Sequence, residues 1–393
     1  MKHRIPAMSL SLVILSGGCS NHQDMARQEA EALFLQGLEA RFYTQPMAEG
    51  SQNKFLVPTA ILEQAIAADS TFAPAYAYLV IPLYFAVGYK GLSNEGRRNL
   101  AISMMEKALE LDPDLAAAHV AKATMQYLYE EDWEGAEETF QHALSLDSND
   151  TEAHREYAFL LLRSGRFDEG LVEAEKAYEL DPLSLEVYTT LGEAYLYAGR
   201  FDEAADMYLR IIEVTPLRVN GSYTRLAFIH LMNRDDETAL EVAQEGVKIA
   251  PDDAVINMYL GWAATRNGLL EEALTAYEKA YELRGNKADI ANLGIINALL
   301  GLRVSALEAI TKLEQVLDEG DYKTVWNIAR IYLALGENDM ALDWLEHSCN
   351  IRIDQNQPGI KVWAWQLTVD ADYDPLRSKP RFQEIIGRTG YEI

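Results

Sequence analysis

Small side chains recur along this chain at a nearly constant stride. Ala101, Ala136, Gly170, Ala204, Ala239, Ala273, Ala306 and Ala341 lie 35, 34, 34, 35, 34, 33 and 35 residues apart. Seven residues after each comes a second rung: Ala108, Ala143, Ala177, Ile211, Gly246, Ala280, Leu313 and Ser348. Between the rungs sit Met105, Phe140, Ala174, Tyr208, Ala243, Tyr277, Ile310 and Leu345, most of them large. Steps of four and three residues place all three positions on one helix face. The small residues let a second helix approach closely, and the large one fills the remaining space.

Upstream of each ladder helix the pattern predicts another amphipathic helix. Its anchors are clearest at Tyr188, Leu191, Gly192 and Tyr195. Turns such as SGR and AGR separate the two helices, their glycine allowing the left-handed conformation after a helix end. The pentapeptide GRFDE marks two of these turns, at Gly165 and, 34 residues later, at Gly199. Pro113, Pro182, Pro216 and Pro251 follow second helices and stop them.

A 34-residue unit with these anchors resembles the tetratricopeptide repeat (TPR). The best copy, YTTLGEAYLYAGRFDEAADMYLRIIEVTP, runs from Tyr188 to Pro216, with Ile211 in place of the second alanine. Another has Leu260, Gly261, Ala273, Tyr277 and Ala280, while near residues 33–65 Pro58 takes the place of the first ladder alanine. The resemblance implies an all-α fold, a TPR α-solenoid wound as a right-handed superhelix of about nine antiparallel helix pairs with a C-terminal cap. The repeats are expected over residues 25–350 and the cap over 351–393. A narrower likeness joins EEDWEGAEETFQHALSLD and the tail DYDPLRSKPRFQEII to TPR regions behind bacterial winged-helix, cyclase and kinase domains. No such output domain accompanies the repeats in this sequence.

The tail has its own pattern. Asp374-Pro375 and Ser378-Lys379-Pro380 read as helix starts with proline in the first turn. Phe382, Ile385 and Ile386 then form an apolar stripe that covers the last repeat, since an open solenoid end needs capping. Trp363 and Trp365 are expected in that cap. Two connections, 44–54 and 88–98, are longer than the repeat requires.

The chain has 393 residues, 34 basic and 61 acidic, for a net charge of −27. That balance argues against nucleic acid and anionic lipid headgroups, both of which reward clustered Lys and Arg. At the start, MKHR precedes the apolar run IPAMSLSLVIL, too short to span a bilayer and suited to a signal peptide. The run leads through SGG to Cys19, and this resembles a bacterial lipoprotein signal, although Ser16 stands where that pattern has leucine. The resemblance implies a signal over 1–18, lipid attachment at Cys19 and a short tether over 19–24. With Ser20 rather than Asp after the cysteine, it further implies the outer membrane, with the body facing the periplasm of a Gram-negative bacterium. Cys349, the other cysteine, reads as a buried apolar residue.

No phosphate-binding glycine loop, HExxH or G-x-S-x-G occurs, and nothing assembles a nucleophile with a base. No enzyme activity, cofactor or metal is expected. In TPR folds the concave face is lined by the first helix of each pair. By register that face takes in Tyr84, Tyr127, Arg155, Phe159, Arg163, Glu193, Tyr197 and Phe228, then Met258, Trp262, Arg266, Trp326 and Arg330. Aromatic side chains interleaved with arginine are what interfaces use as anchors. The expected partner is a protein or a peptide with an acidic or carboxylate group, bound by a lipid-anchored scaffold or adaptor. The alternative is a small-molecule or peptide sensor that keeps the repeats of the signalling proteins without their output.

Overall fold

The computed structural model describes residues 22–43, 55–215, 219–357 and 359–391. Cys19, the signal, Pro216 and the connection 44–54 fall outside them. The described residues form helices and turns, without a strand. Their contacts divide the chain into two compact units, meeting in sequence at Pro113–Asp114.

The first unit holds α1 (His22–Tyr43) paired with α2 (Leu56–Ala68), and α3 (Ala73–Phe85) paired with α4 (Asn94–Leu111). Part of the expected long connection 88–98 is helical, because α4 already begins at Asn94, where the Ser93 side chain accepts the N–H of Gly96. A single 3₁₀ turn at Tyr89–Gly91 fills the rest, tied down by a 2.6 Å ion pair from Lys90 to Glu63.

The second unit stacks seven further pairs. These are α5 (Ala116–Met125) with α6 (Trp133–Leu146), α7 (Thr151–Arg163) with α8 (Phe167–Leu180), and α9 (Leu185–Tyr197) with α10 (Phe201–Val214). Next come α11 (Val219–Met232) with α12 (Asp236–Ile249) and α13 (Ala254–Arg266) with α14 (Leu270–Arg284). The last are α15 (Lys287–Leu299) with α16 (Arg303–Gln315) and α17 (Tyr322–Ala334) with α18 (Asn338–Asp354). With the two pairs of the first unit this makes nine among the described residues, as expected.

Every residue of both small-residue rungs, from Ala101 to Ser348, is buried. The reason for small residues is visible at Gly261. A Cβ there would stand 2.6 Å from the ring of Tyr277 on the partner helix. Gly192 faces Tyr208 in the same way, at 2.8 Å. Part of the acid excess also finds its place. Asp132, Asp150, Asp235, Asp253 and Asp321 each accept a backbone N–H in the first turn of a helix, satisfying donors that lack an intrahelical partner. Asp132, for example, caps α6 by accepting the N–H of Gly135.

Three short helices end the chain: α19 (Ile360–Val369), α20 (Asp374–Arg377) and α21 (Pro380–Arg388). Phe382, Ile385 and Ile386 pack with Leu342, Leu345 and Cys349 of α18, and Trp363 joins the same cluster. Cys349 is fully buried, and burial pushes its thiol up from the usual range. Trp365 departs from the expected cap. It belongs instead to the core cluster that holds Tyr188, Tyr208, Phe228 and Trp262, far earlier in the chain.

Candidate functional site

The C-terminal segment does more than close the last repeat, because it runs back over the inner helices of the second unit. At one end the ring of Trp365 meets Tyr197 of α9 edge-on, 5.0 Å between centroids. Tyr197 in turn stacks on Phe167, and Phe167 contacts Tyr391. Further along, three aspartates of the segment reach three anchors on the repeats. Arg266 of α13 donates to Asp370 and Asp372, each at 3.3 Å, and also holds Asp236 at 3.0 Å. The Trp262 indole N–H donates to Asp372 at 3.2 Å. Arg234, in the turn after α11, grips Asp374 with two hydrogen bonds of 2.8 and 2.9 Å. Finally, the Trp326 N–H of α17 donates to the Tyr373 hydroxyl at 2.7 Å.

Beneath this segment lies a cavity of about 440 Å³. Six of the residues expected on the concave face line it together: Tyr197, Phe228, Met258, Trp262, Trp326 and Arg330. Arg266 stands at its edge, bonded to Asp370 in the wall. Glu193 lies behind it and receives Arg225 at 2.6 Å. Tyr197 is pushed up to about 12 by burial and then by Glu193, so it stays a neutral phenol.

The remaining expected residues are elsewhere. Tyr127 is buried and donates to Glu156 at 3.2 Å. Arg155 is held by Glu152, at 2.7 Å, and by Glu156. Phe159 packs half-buried in the same cluster, with the exposed Arg163 over its ring. Tyr84 belongs to α3 in the first unit, where it meets Phe85 edge-on. None of these five lines the cavity.

The register positions also missed part of the wall. Arg225, Tyr259, Asn292 and Asn327 all line the cavity. They recur at steps of 34, 33 and 35 residues. A further stripe was thus present in the sequence, carried by the first helices of four successive pairs. Lys323 and Arg352 complete the wall on the α17–α18 side, and Trp365, Gln366 and Asp370 close it from the C-terminal segment.

The wall is unusually rich in cations for so acidic a chain. Asp370 is its single carboxylate among the described residues, against Arg225, Lys323, Arg330 and Arg352. Burial, and then the neighbouring Asp372, push Asp370 up to about 7, with Arg330 and Arg266 acting the other way. Arg225 has Glu193, but no carboxylate of the described residues pairs with Lys323, Arg330 or Arg352. Arg330 lies over Trp326 and donates to Asn292 at 3.4 Å.

Helix pairs at a 34-residue step with this packing define a TPR solenoid. The chain carries tetratricopeptide repeats: models described by that name match residues 91–115, 125–184, 161–221, 234–288 and 322–352. Among curated relatives, anaphase-promoting complex subunit 3 of Schizosaccharomyces pombe is 22% identical over 50% of this chain, which spans only 29% of that protein's length. Lipopolysaccharide assembly protein B of Escherichia coli K12 is 23% identical over 279 residues, 68% of either chain. The crystal structure of the APC/C hetero-tetramer Cut9-Hcn1 covers 94% of this chain and 64% of its own, with a TM-score of 0.52 at 15% identity. That likeness concerns the fold alone.

Proposed function

We propose that this protein is a non-catalytic TPR scaffold whose inner helices bind an acidic, aromatic-bearing segment of a partner protein. The observation that carries the reading is the segment already docked there. Asp370, Asp372 and Asp374 engage Arg266, Trp262 and Arg234, and Trp365 and Tyr373 supply the aromatic contacts. The chain's own tail thus has the chemistry a partner would need. Arginine and tryptophan are also the residue types that dominate binding energy at interfaces. A tethered tail competes at high effective concentration, so a partner would act by replacing it.

The scaffold would be carried by a lipid at Cys19, on the outer membrane and facing the periplasm. What supports this is the N-terminal pattern together with a relative named for lipopolysaccharide assembly. No helix of the described residues is long and apolar enough to cross a membrane. Attachment would therefore rest on acyl chains, more than one being needed for stable anchoring.

The test is fluorescence anisotropy with a labelled peptide copying residues 366–377, QLTVDADYDPLR. A protein carrying Asp372→Asn and Asp374→Asn, with its own tail loosened, should bind the peptide about tenfold more tightly than the parent. Adding Arg266→Met should abolish that gain. Failure of the loosened protein to bind the peptide would sink the reading.

A further inference from the structure

Arg352 is 8% exposed and lines the cavity, yet its buried Nε has no hydrogen-bond partner and no carboxylate pairs with its guanidinium among the described residues. It is held by ring faces instead, 4.0 Å from the centre of Tyr322 and 4.9 Å from that of Trp363. Ring faces orient a guanidinium without answering its five N–H donors. An arginine buried without a counter-charge is costly, and proteins normally pair it. Arg330 and Lys323 enter the same cavity, also without a carboxylate partner among the described residues.

The rest of the wall is of a different kind. Phe228, Trp262, Trp326 and Trp365 offer flat apolar surfaces. The volume of about 440 Å³ falls within the range of small-molecule sites, about 300–1,000 Å³. We propose that this cavity is a binding site for a small organic anion, a planar or aromatic body bearing a carboxylate or phosphate, with the anionic group on Arg352 and Arg330. Lys323 adds charge at the same end, and the tryptophans hold the body. This site shares Trp262, Trp365 and Asp370 with the docked segment, but Arg330 and Arg352 take no part in the hydrogen bonds that hold Asp370, Asp372 and Asp374.

The placement of the walls gives the ligand a second effect. One wall belongs to the repeats and the other, at Val362, Trp365, Gln366 and Asp370, to the C-terminal segment. A ligand that touches both holds the segment down. By linkage it then weakens any partner that must replace that segment, and by the same factor in the other direction.

The experiment is calorimetric titration of the full mature chain with three probes: 2-naphthylacetate, 2-naphthyl phosphate and the neutral 2-naphthylacetamide. At least one of the anions should bind about tenfold or more tightly than the amide, the margin expected of charge-assisted hydrogen bonds to arginine. Arg330→Met and Arg352→Met should each erase that preference while leaving the affinity for the amide within about twofold. Because Arg352 is buried, circular dichroism melts accompany the titrations. Removing an unpaired buried charge should leave the unliganded melting temperature equal or higher, whereas a merely structural arginine would lower it. If Arg352→Met fails to fold, that role is structural and the assignment of Arg352 is overturned. Arg330→Met then still decides the site. Equal binding of anions and amide, no binding of either anion, or anion preference retained in Arg330→Met would overturn the proposal.

Discussion

Arg234 and Asp374 stand 140 residues apart in the chain and meet in a two-pronged ion pair of 2.8 and 2.9 Å. Both side chains are about half exposed, at 48% and 47%. Solvent-exposed pairs contribute little, so Arg234→Ala should cost no more than about 1 kcal/mol in urea unfolding. Arg266 is the opposite case, with a side chain 10% exposed among three aspartates. Arg266→Ala leaves those carboxylates facing one another and should cost about 3 kcal/mol. Equal costs for the two would mean that the docked segment is not held where the burial indicates.

The two copies of GRFDE give a matched comparison. Gly165 and Gly199 both adopt left-handed backbone, with φ of +75° and +72°. A Cβ on Gly199 meets nothing within 4 Å, whereas one on Gly165 would stand 2.4 Å from Cβ of Lys361 in α19. Gly199→Ala should therefore cost about 1–2 kcal/mol, from backbone conformation alone. Gly165→Ala should cost about 1–3 kcal/mol more, because the C-terminal segment must shift. Denaturant melts of the two variants read the difference directly.

Asp370 makes stability depend on pH. Its folded-state value is pushed up to about 7, above the ordinary 3.8, by burial first and by Asp372 second, while Arg330 and Arg266 oppose the rise. Between those two values the folded chain keeps a proton that the unfolded chain has released. The stabilisation is fully present below about 4 and is lost as pH rises through about 7. Urea melts across that window should show this loss, and Asp370→Asn should flatten it.

The proposed lipid attachment at Cys19 is open to direct measurement. Cells fed an alkyne-bearing fatty acid should label the protein, and Cys19→Ala should abolish the label and release the chain from the membrane fraction. Label retained in Cys19→Ala would remove the anchor from Cys19.

The repeats were legible because their determinants are local. Ala204, Tyr208 and Ile211 fall on one helix face, and Gly192 and Tyr208 meet within a single pair. Such contacts leave a periodic trace in the sequence. Six of the cavity residues followed from the same register, and Arg225, Tyr259, Asn292 and Asn327 repeat in it too, once that stripe is looked for. The docking of Asp370 and Asp372 on Arg266 left no such trace. Those partners are 104 and 106 residues apart and belong to no common period, so nothing in the spacing links them. Phe382, Ile385 and Ile386 could be assigned to the last repeat because their stripe is helical and α18 lies close in sequence. Trp365 could not be separated from Trp363 by pattern, since its neighbours are set by the return of the chain.

An ordinary solenoid is assembled like a stack, each layer touching only the next, and can fray from either end or begin folding anywhere. The return of the C-terminal segment to Gly165, Tyr197, Arg234 and Arg266 ties layers of the second unit that otherwise never meet. Contacts so distant in sequence must wait until the layers between them have formed, so the tie is made last and slowly. Once made, it lets the layers from α7 to α18 open only together. The order of synthesis follows the same logic: the residues that lock the stack are made after the layers they join.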